Sequence, residues 1–202
     1  MEGSERTAKK AVVGQTVRVR MKIVTIGRGR IGGGLAGIWS KAGHEVSTLG
    51  RDGGDASTAD VLLVAVPGNA IAAALATVTG IAGKATIDAT NVYGQRSGQF
   101  ESQAHEIKSI VGGPTAKSFN TNWALLYDQI GEQRVRPSNL FAADPDARQV
   151  TEQLIADAGF DPVFVGDLEC SRMLEDHLRL VQTVASAGLG PFFYRMAGPG
   201  QL

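Results

Sequence analysis

The sequence has 202 residues, which is about one domain, since domains commonly hold ~100–200 residues. Its 43 % hydrophobic and 20 % charged residues are ordinary for a globular protein and exclude a disordered chain or a coiled coil. Twenty Lys and Arg residues balance twenty Asp and Glu residues, so no global charge draws the protein to nucleic acid or to an anionic membrane.

The first twenty residues differ from the rest because they carry five basic and two acidic side chains. We interpret residues 1–20 as a flexible extension; the alternative, an arm that binds nucleic acid, lacks the aromatic residues that such arms interleave with their charges. Within residues 1–20 the longest apolar run is Ala11-Val12-Val13, short of the ~7–15 residues of a signal peptide, and no later stretch approaches the ~18 of a transmembrane helix. We therefore expect a soluble protein without a membrane partner. The single cysteine, Cys170, excludes an internal disulfide and favours the cytoplasm, a reducing compartment.

From Met21 onward, apolar β-branched runs alternate with stretches of helical spacing. We predict strands over 21–26, 45–49, 60–67, 85–89, 117–120 and onward, 140–143 and 162–165, and helices over 31–42, 70–79, 146–158 and 174–189. The run over 60–67 has too few polar residues to face water on either side, as a parallel strand requires. This rhythm predicts an α/β fold: a single Rossmann-like domain over residues 21–202, with a doubly wound, mainly parallel sheet and a C-terminal helix.

A glycine-rich loop after the first strand is the strongest chemical signal. The loop matches G-x-G-x-x-G and consists of Gly27, Arg28, Gly29, Arg30, Ile31 and Gly32. Gly27 permits a tight turn, Gly29 lets the backbone approach a pyrophosphate, and Gly32 lets the following helix pack closely on the strand. Because the N-terminus of that helix offers unpaired N–H groups and a positive partial charge, the loop predicts a dinucleotide phosphate site.

The end of the second predicted strand distinguishes NADP from NAD. An NAD site places Asp or Glu there, about twenty residues after the loop, to accept both ribose hydroxyls. Here the strand ends at Gly50 and Arg51, with no carboxylate at its tip. Since a guanidinium can hold a 2′-phosphate bidentately, Arg51 and Arg28 predict an NADP(H) site. The alternative is that either arginine is a solvated surface charge, an interpretation that fits Arg30 best.

Three further segments follow strands at the edge where ligands of open α/β sheets bind. They are Ala65-Val66-Pro67, Thr90-Asn91 and Asn120-Thr121-Asn122. We expect them to line one crevice near the nicotinamide, where their amides and hydroxyls could orient a carboxamide or a substrate carbonyl. Each polar residue could equally be an Asx-turn residue that ends a strand.

Groups for acid–base or metal chemistry are scarce. The three histidines, His44, His105 and His177, match no metal spacing, so we predict no metal site. We interpret His44 as structural and His177 as part of a solvated helix face. No obvious Lys–Asp or Tyr–Lys pair stands ready to protonate an alkoxide. A bound cofactor would therefore carry most of any reaction, as in hydride transfer between two planar rings that the protein only positions.

These residues resemble the NADPH-dependent coenzyme F-420 (8-hydroxy-5-deazaflavin) reductases and their dinucleotide-binding relatives. The resemblance covers residues 21–196 and rests on the glycine loop, Ala42-Gly43-His44-Glu45-Val46, Gly50-Arg51, Val64-Ala65-Val66-Pro67, Ile87-Asp88-Ala89-Thr90-Asn91, Lys117-Ser118-Phe119-Asn120-Thr121 and residues 157–162. It implies NADP bound by residues 27–31, 50–51, 65–67 and 90–91. It also implies a hydride acceptor near Asn120 and Thr121, and a homodimer formed partly by the C-terminal helix.

The chain departs from that family between the second strand and the strand that follows residue 60. The family has a helix, a strand and a second short helix there, whereas residues 51–59 alone make the connection here. The second strand should therefore be a sheet edge, and the adenine pocket should lose one wall. The leading prediction is an NADP(H)-dependent oxidoreductase acting on a planar acceptor. The alternatives are a sensor that binds NADPH without turnover, and an imine or β-hydroxyacid reductase, which normally has a long helical second domain.

Overall fold

The computed structural model describes residues 19–94 and 98–202. The predicted N-terminal extension therefore lies almost wholly outside the described residues. The strands are β1 Lys22–Ile26, β2 Glu45–Leu49, β3 Gly54–Asp55, β4 Val61–Val64, β5 Val78–Thr79, β6 Ala85–Asp88, β7 Thr115–Lys117, β8 Ser138–Ala143 and β9 Asp161–Gly166. The α-helices are α1 Arg30–Lys41, α2 Ile71–Leu75, α3 Gln103–Val111, α4 Pro145–Asp157 and α5 Ser171–Val184. Short 3-10 turns cover Gly68–Ala70, Ala124–Glu132 and Leu168–Cys170, and a π turn over Ala185–Leu189 extends α5.

Seven strands form one sheet in the order β2-β1-β4-β6-β7-β8-β9. Every neighbouring pair is parallel except β7 and β8, which are antiparallel. The sheet order confirms the predicted Rossmann-like, mainly parallel α/β fold with a C-terminal helix. It also confirms that β2 lies at the sheet edge.

The sheet separates two apolar layers. All four residues of β4 are fully buried, as the lack of polar residues in this strand predicts. Leu63 faces a layer that contains Trp39 of α1 and Phe160, whereas Leu62 faces a layer that contains Ile71 of α2. Helices therefore cover both faces, which is the doubly wound arrangement.

Several boundaries differ from the sequence prediction. The predicted strand that begins at Lys117 is wrong, because β7 ends there and Phe119 adopts a left-handed backbone conformation with φ 59°. The predicted helix over 70–79 is a 3-10 turn and the five-residue α2, and its last two residues form β5. Helix α3 was not predicted, although Ser102 caps it by accepting a hydrogen bond from the His105 backbone N–H. None of the described helices combines the length and the apolar character needed to cross a membrane.

The short connection between β2 and β4 closes against the end of α2. Its residues Gly54 and Asp55 form β3, which pairs in parallel with β5 in a separate two-stranded sheet. Gly53 has φ +70°, and a Cβ atom there would lie 1.9 Å from the Thr77 carbonyl oxygen, so only glycine fits this contact. The connection thus contains one two-residue strand in place of the helix–strand unit.

Candidate cofactor-binding site

The glycine loop joins β1 to α1 through contacts that leave no room for larger residues at two positions. The Gly27 backbone N–H donates to the Leu49 carbonyl at 2.9 Å, which ties the loop to the tip of β2. A Cβ atom at Gly27 would lie 2.3 Å from the Ala65 carbonyl oxygen, and one at Gly32 would lie 2.1 Å from the Gly27 carbonyl oxygen. The loop therefore packs closely on β4 and on the start of α1, as the motif predicts.

The N-terminus of α1 is open and electropositive. Its N-cap residue is Gly29, which has no side chain to cap the helix, and a Cβ atom there would meet nothing within 4 Å. The first turn contains no acidic residue, and Arg28 and Arg30 flank the N-cap. Unpaired N–H groups, the helix dipole and two guanidinium groups together favour an anion such as a pyrophosphate.

A cavity of about 740 Å³ lies beside this loop at the carboxyl edge of β1, β2 and β4. It contains eight of the predicted cofactor residues: Gly27, Arg28, Gly29, Gly50, Arg51, Ala65, Val66 and Pro67. Small side chains from α2 and the residues that flank it form the opposite wall: Ala70, Ala73, Ala74 and Thr77. Sequence reasoning did not identify this wall, although a run of alanines before a strand is the kind of surface that lets a flat ring approach a helix.

Arg28 reaches from the glycine loop to the tip of β2. Its Nη2 atom lies 3.4 Å from the Thr48 carbonyl oxygen, and a Cβ atom at Gly50 would lie 3.1 Å from its Cζ atom. Glycine at position 50 therefore provides the space that the guanidinium fills. The structure places positive charge where an NAD site would have a carboxylate.

A second cavity, of about 260 Å³, lies on the other side of the start of α1. It brings together six predicted residues: Arg30, Ile31, Asn91, Asn120, Thr121 and Asn122. Its other lining residues are Tyr93, Trp123, Ala124, Leu125, Leu178, Val181 and Gln182. The expectation that three strand ends line one crevice is therefore only partly right, because residues 65–67 line the larger cavity. Thr90 is fully buried and lines neither cavity, so its predicted role in direct cofactor contact is not supported.

Asn91 and Asn120 hold each other at the floor of the smaller cavity. The Asn91 Nδ2 atom donates to the Asn120 carbonyl at 2.8 Å, and the Asn120 Nδ2 atom donates to Asn91 Oδ1 at 3.2 Å and to the Leu174 carbonyl at 2.9 Å. Asn120 therefore also ties the strand ends to α5, and Asn91 is joined to α5 only through Asn120.

Several polar atoms around this cavity have no partner among the described residues. They are Asn120 Oδ1, Asn122 Oδ1 and Trp123 Nε1. Thr121 Oγ1 does have a partner, because it lies 2.7 Å from the hydroxyl of Tyr194, whose pKa is raised by burial. Buried polar atoms are usually satisfied, and these three belong to residues that line the smaller cavity.

The structure also reveals charged residues that sequence reasoning missed. Lys117 Nζ lies 2.7 Å from Asp88 Oδ2, but both side chains are fully buried and line neither cavity, so this pair does not contradict the expectation that none stands ready to protonate an alkoxide. The two residues stand side by side in register on the paired strands β6 and β7. A charged residue at the end of each of two apolar strands was the available signal, but their pairing depends on a register that spacing alone does not give.

The histidines serve packing more than chemistry. His44 Nδ1 accepts from the Met21 backbone N–H at 3.2 Å and its Nε2 lies 3.1 Å from Asp157 Oδ2, which fits the structural role predicted for it. His177 does not lie on a solvated face, because its ring packs edge-on against Tyr194 and lines an apolar cavity. Glu101, His105 and Glu169 place possible ligand atoms within 4.8 Å of one another at the surface, an arrangement common for exposed acidic groups that bind no metal.

No protein-family model matches the chain, and no curated protein matches it by sequence. Solved structures do match. A protein proposed to be an F-420-dependent NADP reductase from Arthrobacter sp. FB24 has 23 % identity and a TM-score of 0.74, covering 88 % of this chain and 100 % of that one. A hypothetical protein from Sinorhizobium meliloti has 24 % identity and a TM-score of 0.60, covering 76 % of this chain and 88 % of its own.

A reductive aminase from Aspergillus terreus, solved with NADPH and ethyl levulinate, has 16 % identity and a TM-score of 0.62. The match covers 84 % of this chain and 64 % of the aminase. All three identities are below 25 %, so the likeness concerns the fold. The chain therefore has the Rossmann-like fold found in NADP-dependent reductases, in agreement with the resemblance seen in its sequence.

Proposed function

We propose that this chain binds NADP(H) along the carboxyl edge of its sheet, with the pyrophosphate at the start of α1 and the 2′-phosphate at Arg28 and Arg51. The observation that carries the proposal is the Arg28 guanidinium packed against Gly50, where an NAD site would hold a carboxylate. The open N-terminus of α1 and the adjoining cavity of about 740 Å³ support the same assignment.

We further propose that the protein is an oxidoreductase that exchanges hydride between NADP(H) and a planar acceptor, with coenzyme F-420 as the leading candidate. The fold shared with a protein proposed to be an F-420-dependent NADP reductase supports this choice. So does the smaller cavity, which among the described residues is lined mainly by amides, hydroxyls and apolar groups, with Arg30 as its charged residue and with no histidine, lysine or carboxylate. Such a lining suits a reaction in which the protein positions two rings.

When bound, NADPH would supply a hydride, which carries two electrons, and the acceptor would also take up one proton from solvent. In the reverse direction the reduced acceptor would return the hydride to NADP⁺ and release that proton. Asn91, Asn120 and Thr121, which line the smaller cavity, would orient the nicotinamide carboxamide and the carbonyl edge of the acceptor. Trp123 and Val181 exclude water from the cavity between the rings. Positioning of this kind can account for a large part of a rate enhancement, since well-oriented reactants reach effective molarities of ~10⁵ M and above.

A comparison of NADPH with NADH tests the cofactor assignment. A ligand that binds only the folded state at 100 times its dissociation constant stabilises it by about 2.7 kcal/mol, which a thermal-shift measurement detects. We expect a larger shift with NADPH than with NADH at matched concentrations; equal shifts would exclude a specific 2′-phosphate site. Single-turnover absorbance at the nicotinamide band, with F-420, a flavin or a quinone as acceptor, then tests the reaction. NADPH that stays reduced with all three would exclude the proposed oxidoreductase.

The second candidate is a sensor that binds NADPH without turnover. It is favoured by the short connection between β2 and β4, which gives the adenosine side a two-residue strand in place of a helix–strand unit. In that case NADPH should change the oligomeric state or partner affinity of the protein while no acceptor is reduced. Sedimentation with NADPH and with NADP⁺ distinguishes the two candidates.

We also propose that the chain acts as a homodimer through α5 and the segment after it. Large apolar side chains there are exposed to solvent: Met173 (61 %), Leu180 (57 %), Leu189 (63 %) and Met196 (47 %). A second copy would cover them, and contiguous exposed apolar surface is one mark of a protein–protein interface. Light scattering tests the proposal, because a monomer at micromolar concentration would contradict it.

A further inference from the structure

Three charged side chains form a buried cluster behind the floor of the smaller cavity. Lys117 Nζ lies 2.7 Å from Asp88 Oδ2 and 3.4 Å from Glu175 Oε1, and none of the three side chains is more than 1 % exposed. Glu175 Oε1 also accepts from the Gln103 backbone N–H at 2.8 Å, and the side-chain amide of Gln103 lies within 2.8 Å of both carboxylate oxygens of Glu175. The cluster joins β6, β7, α3 and α5.

The cluster forms hydrogen bonds with the backbone of Thr90, the residue before Asn91. Lys117 Nζ donates to the Thr90 carbonyl at 2.7 Å, and Asp88 Oδ1 accepts from the Thr90 N–H at 2.7 Å. Both backbone polar groups of Thr90 are therefore fixed by charged atoms, and charge-assisted hydrogen bonds are shorter and stronger than neutral ones. Thr90 itself contacts neither cavity, so these hydrogen bonds explain how the segment 90–91 serves the site without direct contact from Thr90.

The same cluster fixes the second asparagine from the other side. Asn120 lies three residues after Lys117 and donates to the carbonyl of Leu174, the residue before Glu175. When the carboxylate of Glu175 is held by Lys117, this carbonyl is held in place for Asn120. The Asn91–Asn120 amide pair thus rests on strand β6, strand β7 and helix α5, and the cluster joins all three.

A buried ion cluster stabilises a core less efficiently than apolar packing does. Burying charges costs free energy even when they are paired, and well-packed apolar residues of the same volume often stabilise a fold as well or better. Charged groups instead fix an orientation. The Lys117 ammonium group contacts a carboxylate on β6, a carboxylate on α5 and the Thr90 carbonyl at the same time, which restricts how these three elements can lie relative to one another. The cluster lies beside Asn91 and Asn120 of the candidate site, so the orientation that it fixes is that of residues proposed to act in the reaction.

We propose that Lys117 is a positioning residue: its ammonium group, with Asp88 and Glu175, fixes the Asn91–Asn120 amide pair in the orientation needed to align the nicotinamide with the acceptor. The inference rests on the proposed oxidoreductase function. It assigns Lys117 no contact with cofactor or acceptor, and it separates alignment of the rings from NADPH affinity, which belongs to Arg28, Arg51 and the start of α1.

The test removes all three charges while it preserves volume and hydrogen-bond acceptors, in the variant Asp88→Asn/Lys117→Met/Glu175→Gln. We expect a cooperative thermal transition. We also expect an NADPH dissociation constant within about threefold of the wild type, a difference under 1 kcal/mol, because Arg28, Arg51 and the start of α1 are unchanged. We expect kcat to fall by about 10–100-fold, the effect of a small misplacement of reacting groups. The side-chain amide signals of Asn91 and Asn120 in a ¹⁵N correlation spectrum should also move or broaden.

Lys108→Met is the control, which removes a lysine–aspartate pair that is more exposed than the cluster. Lys108 Nζ binds Asp144 Oδ1 at 2.7 Å, and Asp144 accepts from the backbone of Thr115 at the start of β7, whereas Lys117 lies at its end. This variant should leave kcat and both asparagine signals unchanged.

The outcomes are separable. If the wild type reduces no acceptor, the proposed function fails, and the amide signals alone decide the positioning role. If the triple variant keeps both kcat and the asparagine signals, the cluster only stabilises the fold and the inference is wrong. If the triple variant does not fold, Glu175→Gln replaces it: this change keeps the acceptor for Gln103 and leaves a neutral Lys117–Asp88 pair. It should lower kcat without loss of NADPH affinity, and an unchanged kcat would overturn the inference.

Discussion

The guanidinium group of Arg28 occupies the space left by the missing side chain of Gly50. A Cβ atom at position 50 would lie 3.1 Å from Cζ and 3.2 Å from Nε of Arg28, tighter than most side-chain contacts. The pair joins the glycine loop to the tip of β2, where the ribose of a dinucleotide would lie. A positive group in this place would favour the 2′-phosphate that distinguishes NADP from NAD.

Replacing Arg28 by alanine should weaken NADPH binding and leave NADH binding nearly unchanged. A hydrogen bond to a charged group contributes about 1.5–3 kcal/mol, which corresponds to a loss of roughly 10–150-fold in affinity. Fluorescence titration with both cofactors measures the two dissociation constants. Arg51→Ala should act in the same direction, while Arg30→Ala, on the side of the smaller cavity, should not alter the NADPH-to-NADH ratio. Equal losses for both cofactors in Arg28→Ala would contradict the assignment.

Gly50→Asp should shift the cofactor preference toward NADH. The new carboxylate would repel a 2′-phosphate and could accept hydrogen bonds from the two ribose hydroxyls, as the acidic residue of an NAD site does. Gly50→Ala introduces the steric contact with Arg28 without the charge and is the control. We expect the NADPH-to-NADH affinity ratio to fall by at least about tenfold in Gly50→Asp relative to Gly50→Ala, or ~1.4 kcal/mol. A ratio that does not differ between the two variants would mean that position 50 does not face the ribose.

Gly32 and Gly37 lie in the same helix but should respond oppositely to alanine. A Cβ atom at Gly32 would lie 2.1 Å from the Gly27 carbonyl oxygen, whereas one at the exposed Gly37 would meet nothing within 4 Å. Gly32→Ala should destabilise the fold by about 1–3 kcal/mol through overpacking and weaken NADPH binding. Gly37→Ala should stabilise it by about 0.5–1 kcal/mol, because alanine has the lower conformational entropy cost in a helix. Urea unfolding measures both, and a Gly32→Ala variant as stable as the wild type would contradict the close packing of loop and helix.

The parts of the fold that were predictable depend on local pattern. The fully apolar β4 and the glycines after β1 identify a parallel sheet and a phosphate loop from a few residues each. The antiparallel direction of β8 was not predictable in this way, because it depends on where the chain re-enters the sheet after the long segment that contains Ala124–Glu132. The left-handed conformation of Phe119 was not predictable for a similar reason, because it is supported by a hydrogen bond to Asn139, 20 residues away in the sequence.

In the candidate site, too, features that depend on a local motif were predictable and features that depend on distant residues were not. The loop residues 27–32 were identified because motif and function occupy the same short stretch. The role of Gly50 as a space for Arg28, and the ion pair between Asp88 and Lys117, depend on residues about 20 to 30 positions apart that meet only through strand register. The spacing of residues along the chain does not give the order or register of strands, so neither contact could be predicted from it.

The stability of the fold should fall at acidic pH partly because of His177. Burial lowers the pKa of His177 below its usual range, so the folded protein takes up this proton less readily than the unfolded chain. The contribution of neutral His177 to the free energy of unfolding is therefore complete above the unfolded-state pKa of about 6.5. This contribution is lost as the pH falls below that value. His177→Phe keeps an aromatic ring against Tyr194 and removes the titration. Between pH 7.5 and 5.5 the free energy of unfolding should decrease less in this variant than in the wild type; equal decreases would show that His177 is protonated without cost.

Asn139 should control the site through the strained residue Phe119. The Oδ1 atom of the fully buried Asn139 accepts from Ser118 Oγ at 2.9 Å and from the Phe119 backbone N–H at 3.3 Å, which supports the left-handed turn that leads to Asn120. Asn139→Ala leaves both donors unpaired and should destabilise the fold by about 1–3 kcal/mol. Because the turn then relaxes, kcat with the acceptor should also fall, with NADPH affinity retained.

Thr151→Ala is the comparison for Asn139→Ala, since Thr151 is equally buried and its Oγ1 donates to the Ala147 carbonyl within α4, a hydrogen bond that touches neither cavity. Both variants should unfold at lower urea concentration than the wild type, but only Asn139→Ala should lose activity. If the two lose stability and retain kcat alike, the strain at Phe119 is a feature of packing and has no part in aligning Asn120. If Asn139→Ala loses NADPH affinity as strongly as kcat, the turn supports the larger cavity as well, and the separation of the two sites proposed above does not hold.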